Sequence, residues 1–165
     1  MSWGEPPVGY RPCVGMALFN QRGQVFLAQR IGRFVEWGWQ MPQGGIDAGE
    51  APLDAALREL TEEIAVPPAE VALLGSIDRW LTYDFDAEAI ARGRIAAHYR
   101  GQAQRWFAFR LLGPDSLIDL ATAHPEFSHW QWTDLAMAVA RIVPFKREVY
   151  RAVAEAFAPY ETAVF

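Results

Sequence analysis

Three glutamates and an arginine stand within six positions in "RELTEEIAV", residues 58–66. On a helix turning about 100° per residue, with Glu59 as origin, Glu63 falls near ~40° and Glu62 near ~300°. All three carboxylates therefore share one arc of about 100°, with Glu62 pointing away from the core and Glu59 and Glu63 leaning toward its border. The pairs Glu59–Glu62 and Glu59–Glu63 repel by about 0.2–0.5 kcal/mol each. Arg58 can reach Glu62, though in the less favourable order along the helix. A solvated acidic face is the simple account, but it leaves the repulsion unanswered. A divalent cation would turn that repulsion into chelation, because carboxylate oxygens are the hard ligands Mg2+ prefers, alongside waters and substrate phosphates.

The residues upstream extend the pattern. Glu50 lies eight positions before Arg58, and Gly44 lies six before Glu50, within "GGIDAGEAPLDAALRELTEEIAV", residues 44–66. This string resembles the Nudix box: Gly, five residues, Glu, seven residues, Arg-Glu-aliphatic, one residue, Glu-Glu, one residue, Gly-aliphatic. Gly44, Glu50, Arg58, Glu59, Leu60, Glu62, Glu63 and Val66 all match, while Ala65 stands where the family has glycine. A glycine there suits a helix exit at positive φ, where alanine costs about 1 kcal/mol. The departure touches the turn rather than the acidic residues. The resemblance implies hydrolysis of a nucleoside diphosphate linked to another group, with Mg2+ or Mn2+ as cofactor. Glu59, Glu62 and Glu63 would then be metal ligands, one of them also orienting or deprotonating water. Glu50 and Arg58 would pair to hold loop against helix, and Gly44 and Gly45 would let the backbone turn tightly and approach the site.

Segments outside the box, "GYRPCVG", "WQMPQGGI", "RWLTY", "GQAQRWF", "PEFSHWQW" and "VPFKREVY", resemble the bacterial RNA 5′-pyrophosphohydrolases and the related dinucleoside polyphosphate hydrolases. The implied substrate is a triphosphorylated RNA 5′ end, shortened to a monophosphate that promotes mRNA decay. The alternative is Ap4A or Ap5A. By the same likeness Glu126 is a further metal ligand or base, and Arg11 and Arg30 contact phosphates or the 5′ nucleotide. Phe145 stacks on a base or, alternatively, anchors the last helix. Lys146 supplies a phosphate or base contact, and Tyr83, Gln102 and Gln104 line the pocket. A Nudix fold that binds without catalysing usually lacks box glutamates, and here all three are present.

Elements that could carry these residues read along the chain as follows. "CVGMALFN" and "QVFLAQRI" form a hairpin turning at Gly23, and "WGWQMPQGGI" is a short strand entering the glycine pair. "APLDAALRELTEEIA" is a helix with Pro52 in its first turn and an apolar stripe of Leu53, Ala56, Leu57, Leu60 and Ile64; Pro67 and Pro68 end it. "VALLGSIDRWLTY" and "QRWFAFRLL" are strands joined by a loop over 84–100 with a helical turn, and "FSHWQWT" is a last strand. "VPFKREVYRAVAEAFAPY" closes as an amphipathic helix. The expected fold class is α/β, the Nudix fold, with a mixed β-sheet sandwiched between helices.

The chain of 165 residues suits a single domain, 1–165. With 52% apolar and 21% charged residues it reads as globular rather than disordered. A net charge of −5 argues against a surface built to grip long nucleic acid. Lys146 is the single lysine, and an arginine-dominated basic set favours bidentate phosphate contacts. Cys13, the only cysteine, is expected to be a buried structural thiol, and His98, His124 and His129 lack zinc spacing. Trp39, Trp106, Trp130 and Trp132 are expected in the core. No apolar run is long enough to span a bilayer and no secretory pattern opens the chain, so no membrane partner and a cytoplasmic location are expected. The sequence leaves open whether the chain forms a homo-oligomer or answers to a protein activator.

Overall fold

The computed structural model describes residues 4–32, 38–86 and 98–164. Seven strands form one sheet: β1 (Tyr10–Phe19), β2 (Val25–Arg30), β3 (Trp39–Gln40), β4 (Gln43–Gly45), β5 (Val71–Asp84), β6 (Gly101–Leu111) and β7 (Phe127–Thr133). Three helices complete the described chain: α1 (Pro52–Ile64), α2 (Leu135–Arg141) and α3 (Arg147–Phe157). The order β3-β2-β1-β6-β5 has β1 and β6 parallel and the other pairs antiparallel, so the sheet is mixed, as expected.

Alternation along the strands divides the core into two layers. Met16, Leu18, Phe26, Phe107 and Phe109 pack against Ala55, Ala56, Leu60 and Ile64 of α1. On the opposite face Ala17, Phe19, Trp106 and Ala108 pack against Val149, Tyr150, Val153 and Phe157 of α3 and Leu135 and Ala138 of α2. Successive strand side chains point to opposite faces, which is why neighbours such as Trp106 and Phe107 enter different layers. No described helix is long and apolar enough to cross a membrane.

The β1–β2 hairpin has the expected turn. Gly23 adopts φ 79°, and the turn closes through Asn20 N–H to the Gln24 carbonyl at 2.9 Å. Beyond it the two strands pair only at Phe19 and Val25. They then part. β1 takes β4 as partner at Cys13–Gly15, while β2 takes β3 at Ala28–Gln29 and β7 along its length. The stretch expected as a single strand, "WGWQMPQGGI", is thus two short strands broken at Met41–Pro42, each lining one side of the fork. This fork delivers the glycine pair and the helix that follows it to one end of the sheet.

Other boundaries moved modestly. β6 begins three residues before the expected strand, because Gly101 and Gln102 still pair with Asp84 and Tyr83. The final helix is preceded by a 3-10 turn, Pro144–Lys146, and the short helix α2, capped by Asp134 accepting from Met137 N–H at 2.7 Å, had no expectation attached. The loop expected over 84–100 falls mainly on residues 87–97, outside the described residues.

Candidate active site

Helix α1 places the acidic residues as their spacing requires. Glu62 is exposed, Glu59 is largely covered, and Glu63 is buried with 8% of its surface accessible. The buried face runs through Ala55, Ala56, Leu60 and Ile64, with Leu53 and Leu57 only half-buried, so the core edge reaches Glu63 itself. At the helix end Ala65 adopts φ 63°, the left-handed conformation anticipated from its place in the motif, and its N–H reaches the Thr61 carbonyl at 3.0 Å.

Arg58 neutralises more of this charge than helix order suggested. Its Nε and Nη2 donate to the two oxygens of Glu50, both at 2.8 Å, and Nη2 also donates to the Gly45 carbonyl at 2.9 Å. Nη1 donates to Glu59 at 2.9 Å and Glu62 at 3.1 Å. One guanidinium therefore ties the glycine-bearing strand, the loop and the helix together through its planar fork. The arginine draws the Glu50 carboxyl down to about 2, and its own pKa is raised in return.

Glycine is required by close approach rather than by an unusual turn. A Cβ on Gly44 would lie 2.0 Å from the Glu59 carboxyl carbon, and one on Gly45 would lie 2.5 Å from Nη2 of Arg11. Neither residue has positive φ, so the tight-turn expectation gives way to one of clearance. β4 is the surface against which Glu59 and Arg11 rest.

Glu63 is the most perturbed group. Burial raises its pKa well above the ordinary value, with Glu59 and Glu126 adding to the shift; the Gln43 backbone N–H and Arg30 oppose it. Its Oε2 is buried and has no hydrogen-bond partner. An unmatched carboxylate oxygen costs free energy unless protonated or met by a cation. Burial also raises Glu59, which Arg58 and Arg11 partly offset. Among the described residues no three His, Cys, Asp or Glu groups close around one point. That agrees with Glu59 and Glu62 being turned onto Arg58. The donor set still fits a small hard cation, since Mg2+ takes only one or two carboxylates and fills its shell with water and substrate phosphates. Glu126 is exposed on the turn before β7, where its carbonyl accepts from Ile31 N–H at 3.0 Å.

A buried polar cluster, linked to this acidic end through Gln43, gathers Tyr83, Gln102, Gln104 and Lys146, with Phe145 against the Tyr83 ring. Gln104 Nε2 donates to Gln102 Oε1 and to Gln43 Oε1, both at 3.0 Å, and Trp106 Nε1 donates to Gln104 Oε1 at 2.9 Å. Lys146 Nζ stands 3.4 Å from Gln43 Oε1 and 5.2 Å from the centre of the Tyr83 ring. The Phe145 and Tyr83 rings meet at 5.6 Å, and Phe145 is half-buried, packed on the core yet still partly accessible. The charge of Arg30, at the end of β2, bears on Glu63, Tyr83 and Tyr150 alike.

Gln43 was missed from sequence. Its side chain joins the cluster while its backbone N–H serves Glu63. The only available signal was its place immediately before the glycine pair. Tyr150 was missed too: its buried hydroxyl accepts from Met41 N–H at 2.8 Å and holds the fork closed. Cys13 is buried, and burial pushes its thiol up to about 11, consistent with a structural role. The three histidines are exposed. Trp106 is in the core, whereas Trp39, Trp130 and Trp132 are half-buried.

Comparison with known proteins adds a consistent picture. Residues 9–153 match the family model described as the NUDIX domain. An RNA pyrophosphohydrolase of Rhodospirillum rubrum is 52% identical over 155 residues, covering 90% of each chain. One from Cereibacter sphaeroides is 49% identical over 152 residues, covering 92% of each. Among solved structures, the dihydroneopterin triphosphate pyrophosphohydrolase of E. coli superposes with a TM-score of 0.66 at 19% identity, covering 89% of this chain and 98% of that one. At that identity the likeness speaks to the fold.

Proposed function

Given that the chain belongs to the Nudix family, we propose that it is a divalent-cation-dependent RNA 5′-pyrophosphohydrolase, working with Mg2+ or Mn2+. RNA 5′-triphosphate and water would give RNA 5′-monophosphate and pyrophosphate, the α–β anhydride being opened. The observation that carries this reading is the buried, unpartnered Oε2 of Glu63, which Gln43 joins to the polar cluster of Gln104 and Lys146. Relatives about half identical over most of the chain, each named RNA pyrophosphohydrolase, support the choice of substrate.

In this reading the cation draws its one or two carboxylate ligands from among Glu59, Glu62, Glu63 and Glu126, with water and substrate phosphates completing its shell. A bound divalent ion neutralises phosphate charge and lowers the pKa of a coordinated water. The chain's own residues do the rest. Arg58 fixes the direction of Glu59 and Glu62 while anchoring Glu50 and the Gly45 carbonyl. Gly44 leaves room for the Glu59 carboxylate against the strand. Glu63, whose pKa is raised by burial, is suited to take a proton from the attacking water. Arg11 and Arg30 flank the acidic group and offer cationic contacts to the polyphosphate. Phe145 gives a stacking surface for a base, a contact of about 1–3 kcal/mol.

Turnover of triphosphorylated RNA measured beside Ap4A and Ap5A on the same preparation tests this. Pyrophosphate release from RNA should exceed dinucleotide cleavage. Rapid Ap4A cleavage with hardly any action on RNA would transfer the assignment to dinucleoside polyphosphates.

A further inference from the structure

Tyr150 and Glu63 approach the fork from opposite faces of the sheet, one on α3 and the other on α1, and they meet the same three residues of chain. Met16 N–H bonds the Pro42 carbonyl at 3.0 Å, so Pro42 turns its backbone toward β1. Backbone groups alternate in direction along an extended chain, and the N–H groups of Met41 and Gln43 therefore turn the other way, into the fork. Each is taken by one side chain. The Tyr150 hydroxyl accepts from Met41 at 2.8 Å, and the Glu63 carboxyl accepts from Gln43. Two residues of extended chain separate those N–H groups by about 6–7 Å. The two side-chain oxygens need lean together only slightly to come within the roughly 5–6 Å that two hydrogen bonds through one water can span.

Each of the two groups has a hydrogen-bonding requirement still unmet. A phenol that accepts from Met41 keeps its own proton to donate, and among the described residues no hydrogen bond takes it up. Among the same residues the buried Oε2 of Glu63 accepts from nothing. A buried O–H and a buried carboxylate oxygen both cost free energy when unpaired. The charged side chains whose fields reach the Tyr150 hydroxyl are Glu63 and Arg30, and a guanidinium can only donate, which leaves Glu63 as the acceptor. Tyr150 has no room to turn elsewhere. It is 1% exposed, and its ring meets Trp106 edge-on at 5.6 Å, with Trp106 itself so close beneath Gly15 that a Cβ there would lie 2.3 Å from the indole. A phenylalanine would fill that space equally well, and Met41 needs only a lone pair of the hydroxyl. We propose that Tyr150 is a positioning residue of the acidic site: its O–H, through one water in the fork, hydrogen-bonds Glu63 Oε2 and holds that carboxylate in the direction from which it binds the divalent cation.

The inference rests on the reading of the site as a metal-assisted hydrolase, and Mn2+ binding followed by electron paramagnetic resonance separates the two without turnover. Removing a group that hydrogen-bonds a metal ligand typically costs about 10–100-fold in affinity, so Tyr150→Phe should weaken Mn2+ binding by about tenfold or more. In a Glu63→Gln background the same substitution should leave the residual Mn2+ affinity unchanged, because the route through Glu63 is already cut. Two replacements that fill the tyrosine's space keep the test decisive should Tyr150→Phe fold poorly. With 4-aminophenylalanine at position 150 a donor is retained, and Mn2+ should bind nearly as in the wild type. With 4-fluorophenylalanine the donor is lost, and binding should match Tyr150→Phe. Wild-type affinity in Tyr150→Phe or the 4-fluoro protein would overturn the positioning role, as would a 4-amino protein no better than the 4-fluoro one. Equal losses with and without Glu63, the pattern of a merely structural tyrosine, would overturn it too. Each of these results leaves the hydrolase reading standing, whereas a wild-type protein that binds no Mn2+ would remove both.

Discussion

Arg58 and Glu63 carry the account at the level of single residues, and they do so in opposite ways. Arg58 has every donor engaged, and its partner Glu50 is held charged down to about 2. Because the folded pKa of Glu50 lies below its ordinary value of 4.5, its stabilising effect is complete above that value and is lost as pH falls toward 2. Glu50→Gln should therefore lower thermal stability by about 1 kcal/mol at neutral pH, a partly solvated pair being worth little more. The gap from the wild type should narrow as the melting curves are repeated at pH 4 and 3. A gap independent of pH would show that the pair is not what the substitution disturbs. Glu63 is the reverse case, a carboxylate with an oxygen left unmatched inside the protein. Its raised pKa means that the folded state favours its protonated form, so stability falls as pH rises from the ordinary carboxylate value through the folded one. Such a cost persists at functional positions because the group is used there.

At the scale of elements, α1 and its exit show what local pattern can and cannot convey. Helical periodicity put Glu62 outside and Glu63 at the core border, and the motif position of Ala65 pointed to the positive φ it adopts. Ala65→Gly should raise stability by up to about 1 kcal/mol, the penalty for a Cβ in that conformation. For a chain of this length that is a rise in melting temperature of about 2–4 °C. No rise, or a fall, would mean that α1 tolerates the left-handed exit without strain. Strand and helix existence was legible wherever periodicity was long: β1, β2, β5, β6, β7 and α3 lie within a few residues of expectation. The fork was not. Nothing in "WGWQMPQGGI" states that its halves pair with different strands, because that follows from β1 and β2 parting beyond Phe19 and Val25. The expectation that Tyr83, Gln102, Gln104, Phe145 and Lys146 stand together came from family likeness alone. Their connection through Gln43 depends on β4, β6 and the turn before α3 meeting across more than sixty residues of sequence.

For the molecule as a whole, the balance of charge limits how RNA is held. A chain of net charge −5 cannot draw on a broad basic surface, so recognition should be confined to the 5′ end. If two or three phosphates meet Arg11, Arg30 and Lys146, the logarithm of apparent affinity should fall with the logarithm of salt at a slope of about −2. Lengthening the RNA past its first few nucleotides should leave KM unchanged. A slope several times steeper, or a KM that keeps falling with length, would reveal a groove for the RNA body.

Direct measurement of cation binding tests the central claim most simply. Mn2+ titrated into the protein and followed by its electron paramagnetic resonance signal reports bound metal without requiring turnover, with or without a non-hydrolysable triphosphate end. Wild type is expected to take up Mn2+, more tightly when the triphosphate is present, and Glu63→Gln to lose most of that binding while remaining folded. Equal Mn2+ binding by the two proteins, unaffected by the triphosphate, would contradict the assignment of the α1 carboxylates to a metal-assisted hydrolase.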